Sequence, residues 1–133
     1  MNRSQEREQA FLVLFEQAFH PDLSEAELTE LAEESEFIQP SDFTHSLITE
    51  TLAHLPEIDT EISSYAVGWS LERMSRVSLA ILRLAVCEIL YFDDIPDSVS
   101  INEAVELAKK YAGKKDSAFI NGILGSIARA REV

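Results

Sequence analysis

Residues 75–92, SRVSLAILRLAVCEILYF, limit what this chain can fold into more than any other stretch. Ala80, Ile81, Leu82, Leu84, Ala85, Val86, Cys87, Ile89 and Leu90 leave a helix here with no broad polar face, so other helices have to cover it on most of its circumference. Its two basic residues, Arg76 and Arg83, stand seven apart and fall on nearly the same stripe. Arg73 joins them if the preceding WSLERM segment continues helical. The spacing thus predicts a buried hub with one basic edge.

The flanking segments supply the covering helices. Residues 3–19 carry Phe11, Leu14, Phe15 and Ala18 at i, i+3, i+4, i+7 spacing, and Pro21 stops them. Ser24 and Glu27 make a capping box for a second helix with Leu28, Leu31 and Ala32 inward and Glu25, Glu30, Glu33 and Glu34 on a solvated face. Pro40, Ser41 and Asp42 start a third, striped by Phe43, Leu47, Thr51 and Leu55. Pro56 fits the first turn of a fourth, with Ile58, Ile62, Tyr65 and Ala66 inward and Gly68 at a left-handed exit before Trp69.

After the hub, DDIPDS forces a turn. Ser100 and Glu103 read as a second capping box, opening a helix to Ala112 that buries Ile101, Val105 and Ala108 and pairs Glu106 with Lys110. Gly113 breaks it, Asp116 or Ser117 caps the last helix, and Phe119, Ile120, Ile123, Leu124 and Ile127 form a wide apolar face. Gly122 and Gly125 cost about 1 kcal/mol each relative to alanine in a helix, which close packing on the hub would justify.

No strand alternation or repeat occurs. The expected fold is all-α, about seven helices in two packed helical subdomains: residues 1–68 an acidic amino-terminal one, residues 69–133 one around the hub, together a single domain over 1–133.

Charge and composition exclude several function classes. The net charge of −13 is unevenly spread: residues 1–72 hold only Arg3 and Arg7 against 16 acids, whereas residues 73–133 hold nine basic groups against eight acids. A phosphate-binding surface therefore requires the second half, or Arg3 and Arg7 folded back onto it. Arg83 interrupts the longest apolar run, which is too short for a membrane span, and MNRSQEREQAF lacks a signal peptide's apolar core; a cytoplasmic protein is expected. Cys87, the single cysteine, reads as a core hydrophobe. His20, His45 and His54 share no metal-ligand spacing, and neither a phosphate-binding glycine loop nor a nucleophile elbow occurs, so no cofactor, metal or enzymatic activity is expected.

Residues 111–122, YAGKKDSAFING, stand out. Lys109, Lys110, Lys114 and Lys115 gather four positive charges at a helix joint, directly before a helix amino terminus whose free N–H groups favour phosphate. Phe119 and Asn121 follow within two turns. Cations beside an aromatic ring and an amide are what single-stranded RNA uses, bases stacking on rings and phosphates meeting lysines. The same residues also suit core packing and a solubilised helix end.

WSLERMSRVSLAILRLAVCEILYF followed by SVSINEAVELAKKYAGKKDSAFINGIL closely resembles the NusB family of bacterial transcription antitermination factors, and REQAFLVLFEQ, residues 7–17, extends the resemblance more weakly. The resemblance implies an all-helical fold and a non-enzymatic adaptor. With the small-subunit ribosomal protein NusE, such an adaptor binds boxA-type single-stranded RNA of ribosomal RNA transcripts and, within the RNA polymerase antitermination complex, helps the enzyme pass terminators. Carried over by position, it implies an RNA surface of Arg3, Arg7, Lys114, Lys115, Asp116, Ser117, Phe119 and Asn121, with Phe15 where the family often has a tyrosine. Arg76 and Arg83 become secondary candidates for partner docking or support. The family commonly opens with several consecutive arginines; Arg3 and Arg7 alone imply weaker, more partner-dependent RNA binding. The alternative is a protein–protein interaction or dimerisation module with little RNA affinity.

Overall fold

In the computed structural model, which describes residues 2–34 and 41–132 apart from the side chains of Thr29, Leu31, Ala32 and Glu33, the chain forms seven α-helices and one short 3₁₀ turn. They are α1 (Arg3–Phe19), α2 (Glu25–Glu34), α3 (Asp42–Ala53), α4 (Leu55–Tyr65), the 3₁₀ turn Leu71–Arg73, α5 (Arg76–Tyr91), α6 (Asp97–Tyr111) and α7 (Lys114–Arg131). No strand occurs among the described residues. The inward placement of Leu31 and Ala32, the solvated placement of Glu33 and the role of Pro40 fall outside that description.

The hub is α5. It packs against α1, α3, α4, α6 and α7, and from Ala80 to Ile89 every side chain except Arg83 is buried. Ser75 starts it, its hydroxyl accepting the Ser78 amide hydrogen at 3.1 Å, which satisfies one of the orphan donors of the first turn. Leu82, Ile81, Leu47, Ile48, Ile62, Ile120 and Leu124 form the centre of the core. Truncating one such leucine to alanine costs about 2–5 kcal/mol.

The amino-terminal helices start and stop largely where the residue pattern places them. Asn2 and Gln5 form a capping box on α1, and Ser24 and Glu27 form the expected one on α2 through hydrogen bonds of 3.1 and 3.2 Å. Ser41 caps α3. Leu55 belongs to α4 rather than to the stripe of α3, and Thr44 and Ile48 bury beside Leu47 and Thr51 instead. Glu25 is not simply solvated, because its carboxylate accepts the Thr49 hydroxyl at 2.7 Å. Gly68 takes φ +82°, as the exit from α4 requires.

Several expectations fail in the second half, where Ala104 and Leu107 are buried on α6 while Ile101 and Val105 are only half-buried. The helix α6 begins at Asp97, three residues before Ser100, with Pro96 ahead of it. Ser100 is therefore inside the helix and buried, donating to Glu88 Oε1 at 3.0 Å, and Glu103 accepts from Ser4 Oγ at 2.7 Å instead of closing a cap. The helix α7 begins at Lys114, with Gly113 at φ +114° before it and no side-chain cap, so Asp116 and Ser117 lie within its first turn. Glu106 pairs with Lys109 at 3.5 Å, not with Lys110. Gly122 and Gly125 make no close approach to the hub: a Cβ at Gly122 would meet nothing within 4 Å, and at Gly125 only the Arg129 side chain. Nothing in the structure explains Gly122.

The basic edge of the hub is divided. Residues 74 and 75 are extended, so Arg73 does not continue the stripe. Arg76 Nη1 donates to the Ala18 carbonyl at 3.0 Å with its guanidinium 4.7 Å from the Phe19 ring centre, tying α5 to the end of α1. Arg83 makes a two-pronged bond to Asp59, both contacts 2.9 Å, tying α5 to α4. Both arginines fasten helices together.

Candidate nucleic-acid interface

One end of the bundle gathers the second half of α1, the start of α5, the end of α6 and the start of α7. Because α6 runs beside α1, its last turn brings Lys110 and Tyr111 to Glu8, whose carboxylate accepts from both the ammonium and the phenol. Partial burial alone would raise the Glu8 carboxyl, but the hydrogen bonds from Lys110 and Tyr111 outweigh it and hold the group below its ordinary value. The same bond raises the Lys110 ammonium, and burial followed by the bond to Glu8 raises the Tyr111 phenol. Of the four lysines at the joint, then, Lys110 is clasped and Lys109 leans on Glu106. Lys114 and Lys115 are exposed and form no ion pair among the described residues.

A row of rings runs along α1 from this clasp. Tyr111 and Phe11 are 5.0 Å apart, Phe11 and Phe15 6.1 Å, and Phe15 and Phe19 5.1 Å, with Arg76 over the last ring. Phe15 is half-buried in the middle of that row. Its register on α1 follows from the i, i+4 spacing of Phe11, Phe15 and Phe19, which stacks them on one face.

The start of α7 forms one wall of a cleft of about 270 Å³. Lys115, Asp116 and Phe119 face it from α7; Trp69, Arg73 and Met74 face it from the connection between α4 and α5. Trp69 and Phe119 meet edge to face at 5.9 Å. The Asp116 carboxylate accepts the Ser78 hydroxyl at 3.1 Å, with the Ser75 hydroxyl at 3.5 Å, which pins the first turn of α7 to the first turn of the hub. Without a side-chain cap, the amide hydrogens at the start of α7 remain available to an anion.

The remaining positions separate. Asn121 is exposed on the other flank of α7, along a shallow groove against Asn102 and Val105 of α6. Ser117 is buried and donates to the Lys114 carbonyl at 2.9 Å. Arg3 is exposed with its guanidinium 3.7 Å from the centre of the Phe43 ring, at the far end of α1, about 18 Å along the helix from Phe15.

Arg7 is only 3 % exposed. Its Nε donates to Glu88 Oε2 at 2.8 Å, its Nη1 lies 3.7 Å from Glu103, and Ser100 occupies the other Glu88 oxygen. A guanidinium so enclosed holds α1, α5 and α6 together and has no face to offer a phosphate. The structure thus places Lys115, Asp116 and Phe119 on one cleft with Lys114 beside them at the start of α7, leaves Phe15 and Asn121 on neighbouring surfaces, sets Arg3 apart and withdraws Arg7.

Sequence reasoning gave no role to Trp69, Tyr111 or Glu88, and placed Arg73 on the basic edge of the hub rather than at this cleft. The one tryptophan of the chain, lying outside any apolar periodicity and directly after Gly68, is the signal that could have exposed the second wall of the cleft. No group of three or more His, Cys, Asp or Glu residues that could hold a metal ion occurs among the described residues, and no helix among them is long and apolar enough to cross a membrane.

Comparison with known proteins agrees with this architecture. Residues 4–129 match the NusB family. The chain is 46% identical over 132 residues to the transcription antitermination protein NusB of Agathobacter rectalis, covering 96% of this chain and 100% of that protein. It is 42% identical to the NusB of Natranaerobius thermophilus, covering 96% and 95%. Among solved structures, T. maritima NusB superposes with a TM-score of 0.85 at 35% identity, covering 97% of this chain and 92% of the other. A crystal structure of the antitermination factors NusB and NusE in complex with dsRNA gives a TM-score of 0.83 at 30% identity, covering 98% and 99%.

Proposed function

The chain belongs to the NusB family, and from that premise we propose that it is a transcription antitermination factor: an adaptor that, together with the ribosomal protein NusE, binds boxA-type single-stranded RNA of ribosomal RNA transcripts and helps RNA polymerase pass terminators. The relatives named above are antitermination proteins, and one neighbouring structure holds NusB and NusE in complex with dsRNA. The reading rests on one observation in this chain: Lys114 and Lys115 stand exposed and without ion pairs among the described residues, at an uncapped helix start beside Phe119. Cations, open amide hydrogens and a ring in that arrangement meet the two needs of a single strand, neutralised phosphates and a stacking surface. The adaptor works by binding alone.

Arg7 does not contact RNA in this account. With one exposed arginine on the first turn of α1 and Lys110 clasped by Glu8, few cations remain for phosphate, so binding is weak for this chain alone and strengthens with the partner. The test is a gel shift with boxA-type RNA and NusE, using Lys114→Glu with Lys115→Glu. The double variant is expected to lose retention while keeping its helical circular dichroism. Retention equal to the unaltered protein would remove these lysines from the site.

A further inference from the structure

We propose, resting on the RNA reading above, that the cleft between the α4–α5 connection and the start of α7 receives one unstacked nucleobase of the bound strand, and that it favours a base bearing an exocyclic amino group. At about 270 Å³ the cleft suits a single planar heterocycle rather than a stretch of strand. Each of its two walls carries one aromatic ring, Trp69 on one and Phe119 on the other. Gly68 reverses the chain at φ +82°, the Trp69 amide donates to the Ala66 carbonyl at 3.0 Å, and the ring stands against Phe119 while remaining 51% exposed. A large indole kept open beside a second ring supplies the face on which a splayed base stacks. Arg73 and Lys115, both exposed, flank the opening where the strand's phosphates would pass.

Asp116 supplies the discrimination. One carboxylate oxygen, Oδ2, takes the Ser78 hydroxyl; Oδ1 has no hydrogen-bond partner among the described residues. A carboxylate accepts and cannot donate, so it pairs with the amino hydrogens of cytosine, adenine or guanine. Uracil has no amino group, and the carbonyl oxygens on either side of its single N–H oppose the carboxylate and weaken that contact. The same charge keeps a phosphate out of the cleft itself, leaving phosphates to the two cations at its edge.

Trp69 is the chain's single tryptophan, so its fluorescence reports the cleft directly. The experiment titrates the full chain, with and without NusE, with hexamers of cytidylate and of uridylate, following tryptophan emission and gel retention in parallel. Saturable quenching by the cytidylate hexamer, with roughly tenfold weaker binding of the uridylate hexamer, is expected. Trp69→Ala should weaken retention about tenfold or more, Trp69→Phe should restore most of it, and Asp116→Asn should close the gap between the two hexamers, since an amide can both accept and donate. Circular dichroism verifies that each variant is folded.

RNA retained with unchanged emission, equal affinity for both hexamers, or wild-type retention by Trp69→Ala would overturn the cleft assignment and leave the RNA reading standing. Quenching by NusE in the absence of RNA, with no further change when RNA is added, would give the cleft to the protein partner and also overturn it. Failure of any RNA to bind, with NusE present, would sink both.

Discussion

Replacing Arg7 with alanine separates a structural from a nucleic-acid role. Arg7 and Glu88 have side chains 4% and 1% exposed and meet at 2.8 Å, with Ser100 on the remaining Glu88 oxygen. Removing the guanidinium leaves a carboxylate in the core with its charge uncompensated, and breaking a buried pair in this way costs about 3–5 kcal/mol. Against a total stability on the order of 5–15 kcal/mol that is a large share, and at roughly 3 °C per kcal/mol for a domain of this size the melting temperature should fall by about 9–15 °C.

Urea and thermal unfolding followed by circular dichroism measure the loss. The double variant Arg7→Met with Glu88→Leu removes both charges, and should recover most of the stability because an apolar replacement of a buried pair is often neutral. That folded double variant should also bind RNA as tightly as the unaltered protein. An Arg7→Ala protein with unchanged unfolding midpoints and weakened RNA binding would refute the burial argument and restore Arg7 to the RNA surface.

Cys87 is fully buried in the hub, and burial is the main cause that pushes its thiol up to about 12. At pH 8 it should not react with a thiol reagent in the native state, so labelling should track the unfolded fraction along a urea titration; fast native labelling would contradict the packing of α5. The Glu8 clasp has a defined pH signature. A carboxyl lowered by its partners stabilises the fold above its ordinary value and loses that contribution as pH falls through the lowered one. Glu8→Gln should therefore unfold at lower urea than the unaltered protein at pH 7, and the gap should vanish only below about pH 4.5. A gap that persists to the lowest pH at which the protein stays folded would show that the charge of Glu8 is not what matters.

What the sequence conveyed follows from how far each determinant reaches along the chain. The all-helical class, the hub read at 75–92 and found at 76–91, α1 at 3–19 and the Ser24–Glu27 box are set by spacing within a turn or two. Ser100 with Glu103 has the same local form as a capping box, yet Pro96 starts that helix earlier and the two side chains serve partners on α5 and α1. Asp116 is similarly drawn to Ser78, 38 residues away, once Gly113 has begun α7. Lys110 finds Glu8 across 102 residues and Arg7 finds Glu88 across 81, pairings that no periodicity encodes.

The candidate site divides along the same line. Lys114, Lys115 and Phe119 were legible because they are close in sequence on one helix start. Trp69 and Arg73 were not, because only the packing of the α4–α5 connection on α7 brings them opposite. Arg7 was misplaced for the opposite reason: an arginine near an amino terminus reads as surface until its buried acid is known.

The central claim is that exposed lysines at the start of α7 bind the phosphates of a single strand and that NusE completes the site. Its most direct test is the affinity for boxA-type RNA with and without NusE, measured at about 50 and about 200 mM salt for the unaltered protein and for Lys114→Gln with Lys115→Gln. Each phosphate contact on a single strand contributes about 0.7 to the slope of log affinity against log salt. Tight binding only with NusE, and a slope shallower by about 1.4 in the double variant, is the predicted result. Equal affinity without NusE, or an unchanged slope after both lysines are neutralised, would contradict it.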